Sequence, residues 1–152
     1  MDFDDLKMIL APTDLSDASA PALRAAVRLA QMFHASVEVF HVDIDPSLVL
    51  PPPIGVVSMA ALFERMFEGA AEKLNHIVDE VRKSGVVCTG ASEYGRSHAA
   101  IVEQATRTGA GLIVMGSHAR PWLSHALVGS VAEKVVQHAP CAVLVVPVAG
   151  AS

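Results

Sequence analysis

Short apolar runs alternate with segments of helical periodicity along almost the whole chain, and this alternation restricts the possible folds more than any other feature of the sequence. Runs typical of strands stand at 7–11, 36–42, 86–93, 112–115 and 142–146. Strands that follow one another through helices have to cross over, which pairs them in parallel with right-handed connections. The βαβαβαβαβ pattern therefore predicts an α/β fold: a five-stranded parallel sheet with helices on both faces.

Four helices are predicted between these runs, each from apolar residues that recur at spacings of three and four. The first begins after Ser19, a residue suited to capping a helix, and carries Leu23, Ala26, Val27 and Ala30 on one face. The others are predicted from Leu62 to near Gly85, from Ser97 or His98 to Arg107, and from Ser130 to His138.

The length of 152 residues is typical of one domain, so residues 1–152 are predicted to form a single folding unit. One part of it is predicted to be irregular. Residues 43–58 contain Pro46 and the run Pro51 to Pro53, which interrupt regular structure, so this segment is expected to be a surface loop.

The charge balance argues against two classes of partner. Eleven Lys and Arg against sixteen Asp and Glu give a formal net charge of −5 without a basic block, which disfavours nucleic acid and anionic membranes. The N-terminus is acidic where a secretory signal would be basic, and no apolar run reaches membrane-spanning length, so a cytoplasmic protein is expected. Cys88 and Cys141 lack zinc-like spacing and are expected to be buried, reduced thiols.

Three segments are expected to meet at the edge of the sheet where its strands end, which is where parallel sheets bind ligands. They are 12–14 after the first strand, 42–43 after the second and 116–130 after the fourth. The third has glycine near both ends, at Gly116 and Gly129, and runs into a helix. Glycine lets a backbone approach an anion closely, and the free N–H groups of a first helical turn favour a phosphate. A phosphate-binding loop is therefore predicted at 116–130.

The same residues resemble the nucleotide-binding branch of the universal stress protein family. That branch has a glycine, two residues, a second glycine, nine residues, and then glycine followed by Ser or Thr. This chain has Gly116, Ala119, Gly129 and Ser130 at those positions, so that alanine replaces one glycine. The segments 11–16 and 131–146 are similar to the family as well, and the resemblance covers nearly the whole chain.

The resemblance implies a Rossmann-like sheet of order 3-2-1-4-5 and a cytoplasmic stress-response protein that binds ATP, with or without Mg²⁺. It also implies a homodimer, in which the last strand, Ala142 to Val146, pairs with its counterpart in a second subunit. ATP occupancy would then act as a switch on contacts with an unidentified protein partner.

The resemblance also assigns residues to the nucleotide. Pro12, Thr13 and Val42 would line the adenine pocket, and Asp14 would face the adenosine. Gly116 would pass beside the ribose and phosphates, and residues 129–131 would hold the phosphate chain. The full implied set is Pro12, Thr13, Asp14, Val42, Met115, Gly116, Ser117, His118, Ala119, Arg120, Gly129, Ser130, Val131 and Ala132.

Several alternatives stay open on the residues alone. Ser130 and Glu133 fit a capping box, in which the serine hydroxyl bonds the helix backbone and not a phosphate. Asp14 can fold back on its own turn, and Arg120 can be solvated instead of neutralising a phosphate. The methyl group of Ala119 can close the loop if that position needs positive φ or abuts a phosphate. The protein would then be a nucleotide-free dimeric interaction module.

Signatures of catalysis are sparse. The sequence has no GxxxxGK[ST] loop, no GxGxxG after the first strand, and no catalytic set around His118 and His125. Asp43 and Asp45 are interpreted as solvated residues rather than Mg²⁺ ligands. No catalytic or metal-binding residue is therefore assigned, and ATP hydrolysis is expected to be slow or absent. An enzyme of the wider adenine-nucleotide-binding superfamily is the weaker alternative.

Overall fold

The computed structural model describes residues 2–43, 56–117 and 129–148, and within 56–66 it describes the side chains of residues 61, 64 and 65 only. The elements in chain order are β1 (Met8–Thr13), α1 (Ala20–Phe33), β2 (Ser36–Asp43), α2 (Val56–Lys83), β3 (Cys88–Tyr94), α3 (Ser97–Thr108), β4 (Leu112–Ser117), α4 (Ser130–His138) and β5 (Ala142–Pro147). Short 3₁₀ turns stand at Phe3–Asp5 and Asp17–Ser19. None of the described helices is both long enough and apolar enough to cross a bilayer.

The strands form one sheet in the order β3-β2-β1-β4-β5, and every neighbouring pair is parallel. The predicted α/β fold and its strand order are confirmed. β1 lies in the centre, with β2 and β3 added on one side of it and β4 and β5 on the other. A crevice opens where strand order reverses in this way, so the fold places a ligand site beyond the ends of β1 and β4.

Side chains of the central strands alternate between two cores, because successive residues of a strand point to opposite faces of the sheet. Ile9 packs on the face covered by α1 and α2, and its neighbour Leu10 packs on the face covered by α3 and α4. On the first face, α1 approaches closely through an alanine stripe at spacings of four: Ala22, Ala26 and Ala30. On the second face, Phe40 is fully buried among residues of α3 and α4.

Both predicted boundaries of the irregular loop at 43–58 are wrong. Asp43 is the last residue of β2, where it pairs with Tyr94 of β3, and α2 begins at Val56. The helix can start there because the last proline of the segment precedes it. Residues 44–55 lie outside the described part of the chain.

β4 is longer than its apolar run predicts. It continues to Ser117 because the main chain of Gly116 and Ser117 stays in register with Val146 and Pro147 of β5. Backbone pairing with a neighbouring strand does not need an apolar side chain, so the apolar pattern ends before the strand does. Gly116 therefore belongs to the sheet and not to a free loop.

β3 is packed unusually closely by α2. The strand begins at Cys88 rather than at the predicted Val86, and its third residue is Gly90. A Cβ atom built on Gly90 would lie 2.8 Å from Cγ2 of Val78 in α2, which is closer than carbon atoms approach. The missing side chain therefore allows α2 to lie close against the sheet.

Candidate functional site

A cavity of about 900 Å³ lies beyond the carboxyl ends of β1, β2 and β4, at the switch point of the sheet. Its walls are the turn after β1, the end of β2, the first turn of α4 and one face of α2. Phe40, Ile101 and Met115 contribute buried apolar surface to it. A concave, partly apolar site of this volume with a few polar groups is typical of small-molecule binding.

Most residues that the sequence assigns to the nucleotide line this cavity. They are Pro12, Thr13, Asp14, Val42, Met115, Gly116, Gly129, Ser130, Val131 and Ala132. Ser117, which is buried within β4, is not among the described residues that line the cavity. His118, Ala119 and Arg120 lie outside the described residues. The fold therefore brings the two distant halves of the assigned set, around 12–14 and 129–132, to one cavity.

The turn after β1 holds the carboxylate of Asp14 in place. Its Oδ1 accepts hydrogen bonds from the Ser16 N–H at 2.9 Å, from the Ser16 hydroxyl at 2.5 Å and from the Ser19 hydroxyl at 2.5 Å. Leu15 has a φ of 66°, and its N–H donates to Oγ1 of Thr13 at 3.0 Å. Hydrogen bonds to a carboxylate are stronger than those between neutral groups. Asp14 thus presents a fixed acceptor, although the residue itself is exposed.

The predicted role of Ser19 as the cap of the first helix is wrong. A capping side chain reaches the first N–H groups of a helix from an extended backbone. Ser19 instead has helical angles, φ −79° and ψ −15°, because it ends a 3₁₀ turn that runs directly into α1, and its hydroxyl makes no capping bond within the described residues. The residue is 7% exposed, and its hydroxyl also accepts the Asp14 N–H at 3.2 Å. The hydroxyl belongs to the cavity wall and not to the helix.

His41 ties the ends of β1 and β2 together, and sequence reasoning left it out of the site. Its Nδ1 lies 2.9 Å from the carbonyl oxygen of Thr13, and its Nε2 lies 3.1 Å from Oδ1 of Asp43. A carbonyl oxygen can only accept, so Nδ1 is the donor. The side chains of His41 and Asp43 are 14% and 15% exposed. The only available signal was the position of both residues beside Val42 at the end of a strand.

The start of α4 lies at the cavity. Gly129, with φ −65° and ψ 157°, occupies the capping position, and no described side chain caps the helix. The first intrahelical donor is the N–H of Glu133, which bonds the Gly129 carbonyl at 2.9 Å. The N–H groups of the three preceding residues, 130–132, have no partner inside the helix. The capping-box alternative for Ser130 and Glu133 is therefore not what the structure shows, because Gly129 holds the capping position and Ser130 is the first residue of the helix.

One face of α2 brings two basic residues to the cavity, and the sequence analysis missed them. Arg65, Gly69 and Lys73 all line the cavity, and their spacing of four places them on one face of the helix. A Cβ atom on Gly69 would meet no described atom within 4 Å, so this face is open. The helix was predicted from its apolar residues, and Arg65 and Lys73 are not among them. The described lining also has two acidic residues, Asp14 and Asp43.

The cysteines take no part in the cavity lining that is described. Both are free thiols; Cys88 is buried as predicted, whereas Cys141 is only half-buried. Burial raises the pKa of both thiols above the ordinary value. Within the described residues, no group of three or more His, Cys, Asp or Glu is placed to hold a metal ion. What the cavity does offer is a fixed acceptor at one wall and backbone donors at another.

Known proteins match the chain over most of its length. Residues 6–147 match the model of the universal stress protein family. The universal stress protein MJ0531 of Methanocaldococcus jannaschii is 36% identical over 141 residues, which cover 92% of this chain and 81% of that protein.

Solved structures share the fold as well. The universal stress protein UspA from Lactobacillus plantarum has a TM-score of 0.78 at 27% identity, covering 93% of this chain and 97% of that one. A universal stress protein in complex with cAMP has a TM-score of 0.72 at 21% identity, covering 94% and 98%. One from Archaeoglobus fulgidus in complex with dAMP has a TM-score of 0.61 at 24% identity, covering 92% and 96%. The family match and the 36% identity to MJ0531 together show that this chain belongs to the universal stress protein family.

Proposed function

We propose that this protein binds ATP in the cavity at the switch point and acts in the cytoplasm as a dimeric regulatory switch of the stress response. One observation supports this proposal most strongly: the same cavity has a hydrogen-bond acceptor on one side and donors on the other. The acceptor is the fixed carboxylate of Asp14, and the donors are the backbone N–H groups in the first turn of α4. A nucleotide has the complementary parts. Its nucleoside carries hydroxyl and amine donors, and its phosphates carry anionic acceptors.

The first turn of α4 supports the assignment of the phosphates. Partial positive charge at a helix N-terminus and free N–H groups favour an anion there. Ser130, Val131 and Ala132 supply these groups at the cavity. Gly116 supports the same assignment, since a Cβ atom built on it would approach described protein atoms no closer than 3.8 Å. The packing of the described chain does not require glycine at this position, whereas close passage of a ligand would.

Two neighbouring structures support an adenine nucleotide as the ligand. The universal stress protein in complex with cAMP and the Archaeoglobus fulgidus protein in complex with dAMP hold two different adenine nucleotides on the shared fold. Adenine is the part that these ligands have in common with ATP. The apolar cavity surface around Phe40, Ile101 and Met115 suits a planar, weakly polar base.

Slow or absent hydrolysis is part of the proposal. His41 is the only imidazole in the described cavity lining, and both of its ring nitrogens are engaged, by the Thr13 carbonyl and by Asp43. An imidazole must have a free lone pair to act as a general base. Because no described cluster is placed to hold a metal by itself, Mg²⁺ would enter with the phosphates and not before them. Bound ATP would therefore persist as a regulatory ligand.

The exposed edge of the sheet supports the proposed homodimer. β5 pairs with β4 on one side and is the outermost strand of the sheet. Leu144 in this strand is 39% exposed, and Val136 on the adjacent α4 is 54% exposed. An exposed apolar edge strand promotes aggregation unless another segment covers it. In a two-fold dimer, the same strand of the second subunit would cover it. Sedimentation velocity should show a dimer that Leu144→Lys dissociates; a monomeric wild type would overturn this part of the proposal.

The test of nucleotide binding is a calorimetric titration of the purified protein with Mg·ATP, preceded by assay of a denatured extract for nucleotide that has copurified. Micromolar binding, or ATP in the extract, is the expected result. Binding by Ala119→Gly but not by the native chain would mean that Ala119 closes the site and that the protein is a nucleotide-free interaction module. Absence of binding by both would overturn the ATP assignment, and rapid release of ADP or AMP would indicate an enzyme.

A further inference from the structure

Two basic residues of α2, Arg65 and Lys73, line the cavity and are called the α2 cations below. Both are exposed, and no hydrogen bond or ion pair joins either side chain to a residue that the structure describes. The last turn of the same helix differs, since Nζ of Lys83 lies 2.6 Å from Oε1 of Glu80. The α2 cations are therefore available to an anion that comes from outside the described chain.

The acidic residues of the described lining make their own hydrogen bonds. Oδ1 of Asp43 lies 3.1 Å from Nε2 of His41, and Oδ1 of Asp14 accepts hydrogen bonds from Ser16 and Ser19. Neither carboxylate lies within ion-pair distance of the α2 cations. These acidic residues lower the positive potential of the α2 wall, but they do not occupy its donors.

The α2 cations and the start of α4 belong to opposite sides of the sheet. Leu74 and Val78 of α2 pack into the core that α1 shares, whereas Ala132 and Val135 of α4 pack into the other core. Along the sheet, α2 contacts β2 and β3, and α4 contacts β4 and β5. The cavity therefore has two separate regions that attract anions. A phosphate chain at the start of α4 occupies one of them and leaves the other for a second group.

The sugar is the part of a nucleotide that faces the α2 side. The apolar surface proposed for the base is formed by Phe40, Ile101 and Met115, which belong to the same core as α4. Base and phosphates are thus both placed on the side of α3 and α4. The sugar joins them through its C1′ and C5′ atoms, so the oxygens on C2′ and C3′ remain to face α1 and α2. Arginine and lysine both bind phosphate well.

We propose that the α2 cations form a second phosphate subsite, so that the cavity favours adenine nucleotides with a further phosphate on the 2′ or 3′ oxygen of the ribose. The inference rests on the proposed nucleotide site and adds to it the class of ligand. Hydrogen bonds to charged groups of this kind raise affinity by about tenfold. Because the α2 cations are exposed, the gain should shrink at high salt.

The test measures the binding of AMP, ADP, adenosine 2′,5′-bisphosphate and adenosine 3′,5′-bisphosphate by calorimetry. ADP and the two bisphosphates are isomers, so they differ only in where the second phosphate is attached. At least one bisphosphate should bind the wild type about tenfold more tightly than AMP does. Lys73→Gln and Arg65→Gln should each reduce this gain, and the double variant should abolish it. The affinity for AMP and ADP should change much less, because their phosphates lie at the start of α4.

Lys134→Gln is the matched control, since it removes the same charge from an exposed position on α4 that is outside the described lining. It should keep the full gain. Glutamine is a good helix former, so these exposed substitutions should leave the fold intact. If the α2 variants weaken ADP and the bisphosphates by the same factor, the α2 cations act on the whole cavity and the inference is overturned.

The wild type alone gives a second decisive result. If neither the 2′ nor the 3′ phosphate raises its affinity above that for AMP, the second subsite does not exist, while binding of Mg·ATP would leave the proposed function intact. If the wild type binds none of these nucleotides, ATP included, the proposed function fails and the inference fails with it.

Discussion

The starts of α1 and α4 both bring a serine to the same cavity, but they leave their polar groups in opposite states. At the start of α1, the hydroxyl of Ser19 is buried and bonded to Asp14. At the start of α4, Ser130 is exposed, and Gly129 leaves the first turn without a side-chain cap from any described residue. The polar side chains at the start of α1 already have hydrogen-bond partners within the protein, and they hold the carboxylate of Asp14 in one orientation as an acceptor. The start of α4 has no cap from the described residues and presents backbone donors, which is the arrangement that an anion completes.

The largest expected effect comes from placing a negative charge at the open start. Ser130→Asp puts a carboxylate where the phosphates are proposed to bind, so ATP affinity should fall by about thirtyfold or more through charge repulsion. The same carboxylate should raise the free energy of unfolding by about 0.3–1 kcal/mol, because it interacts favourably with the helix N-terminus. Calorimetric titration and thermal unfolding measure the two changes, which should have opposite signs.

Gln137→Glu is the control for Ser130→Asp. It adds the same charge to the same helix, at an exposed position in the last turn. ATP affinity should stay unchanged, and stability should fall slightly because a negative charge is unfavourable near a helix C-terminus. If both variants lose ATP binding equally, the loss is caused by the change in net charge and not by its position at the start of α4. The difference between the starts of α1 and α4 would then have no bearing on ATP binding.

A smaller effect should separate the two serines in stability. Ser19→Ala removes two bonds of a buried hydroxyl, so the free energy of unfolding should fall by about 1–1.5 kcal/mol. Ser130→Ala should change it by less than about 0.5 kcal/mol, since the hydroxyl is exposed and caps nothing that is described. Urea denaturation measures both. A loss of about 1 kcal/mol or more in Ser130→Ala would mean that this serine is a helix cap after all.

The smallest effect should come from Glu133, which is exposed in the first turn of α4. Its carboxylate stabilises the helix N-terminus but repels a bound phosphate. Glu133→Gln should therefore raise ATP affinity by about twofold to threefold and lower the free energy of unfolding by about 0.3–0.5 kcal/mol. The gain in affinity should shrink at high salt. Asp5→Asn, at the opposite edge of the sheet, should leave affinity unchanged at every salt concentration.

The order of elements could be predicted because each of its signals is local. Alternating apolar residues at 36–42 and the spacings of three and four around Ala26 are visible within a few residues of sequence. Segments 12–14 and 129–132 could be placed together because parallel strands end at one edge of the sheet. The strand order itself came from the family resemblance, and the sheet confirms it.

The α2 wall and His41 could not be predicted, because their roles depend on contacts between distant segments. Arg65 and Lys73 look like ordinary solvated residues on a helix, and only the placement of α2 against β3 brings them to the cavity. His41 meets the Thr13 carbonyl across two strands, 28 positions apart in the chain. Sequence spacing within one element carries no information about such a contact.

The roles of Ser19 and Ser130 could not be predicted either, for two different reasons. Serine is equally suited to capping a helix and to a polar ligand or side-chain contact, so the residue type alone does not decide between them. Gly129 takes the capping position of α4 because glycine also fits there, and Ser130 is the first residue of the helix. Ser19 stands at the capping position of α1, but it ends a 3₁₀ turn, and its helical angles direct its hydroxyl to Asp14 and not to the helix start. Neither arrangement is visible in residue types alone.

The cavity is assembled from segments that extend from Pro12 to Ala132, so no shorter stretch of the chain contains it. A ligand can therefore bind only after the central strands have paired, and it stabilises the whole fold and not a local part of it. At a concentration one hundred times its dissociation constant, such a ligand adds about 2.7 kcal/mol to the free energy of unfolding. Proteases in a cell act on the unfolded fraction. The cellular half-life of this protein should therefore lengthen and shorten with the supply of its ligand, independently of any change in its synthesis.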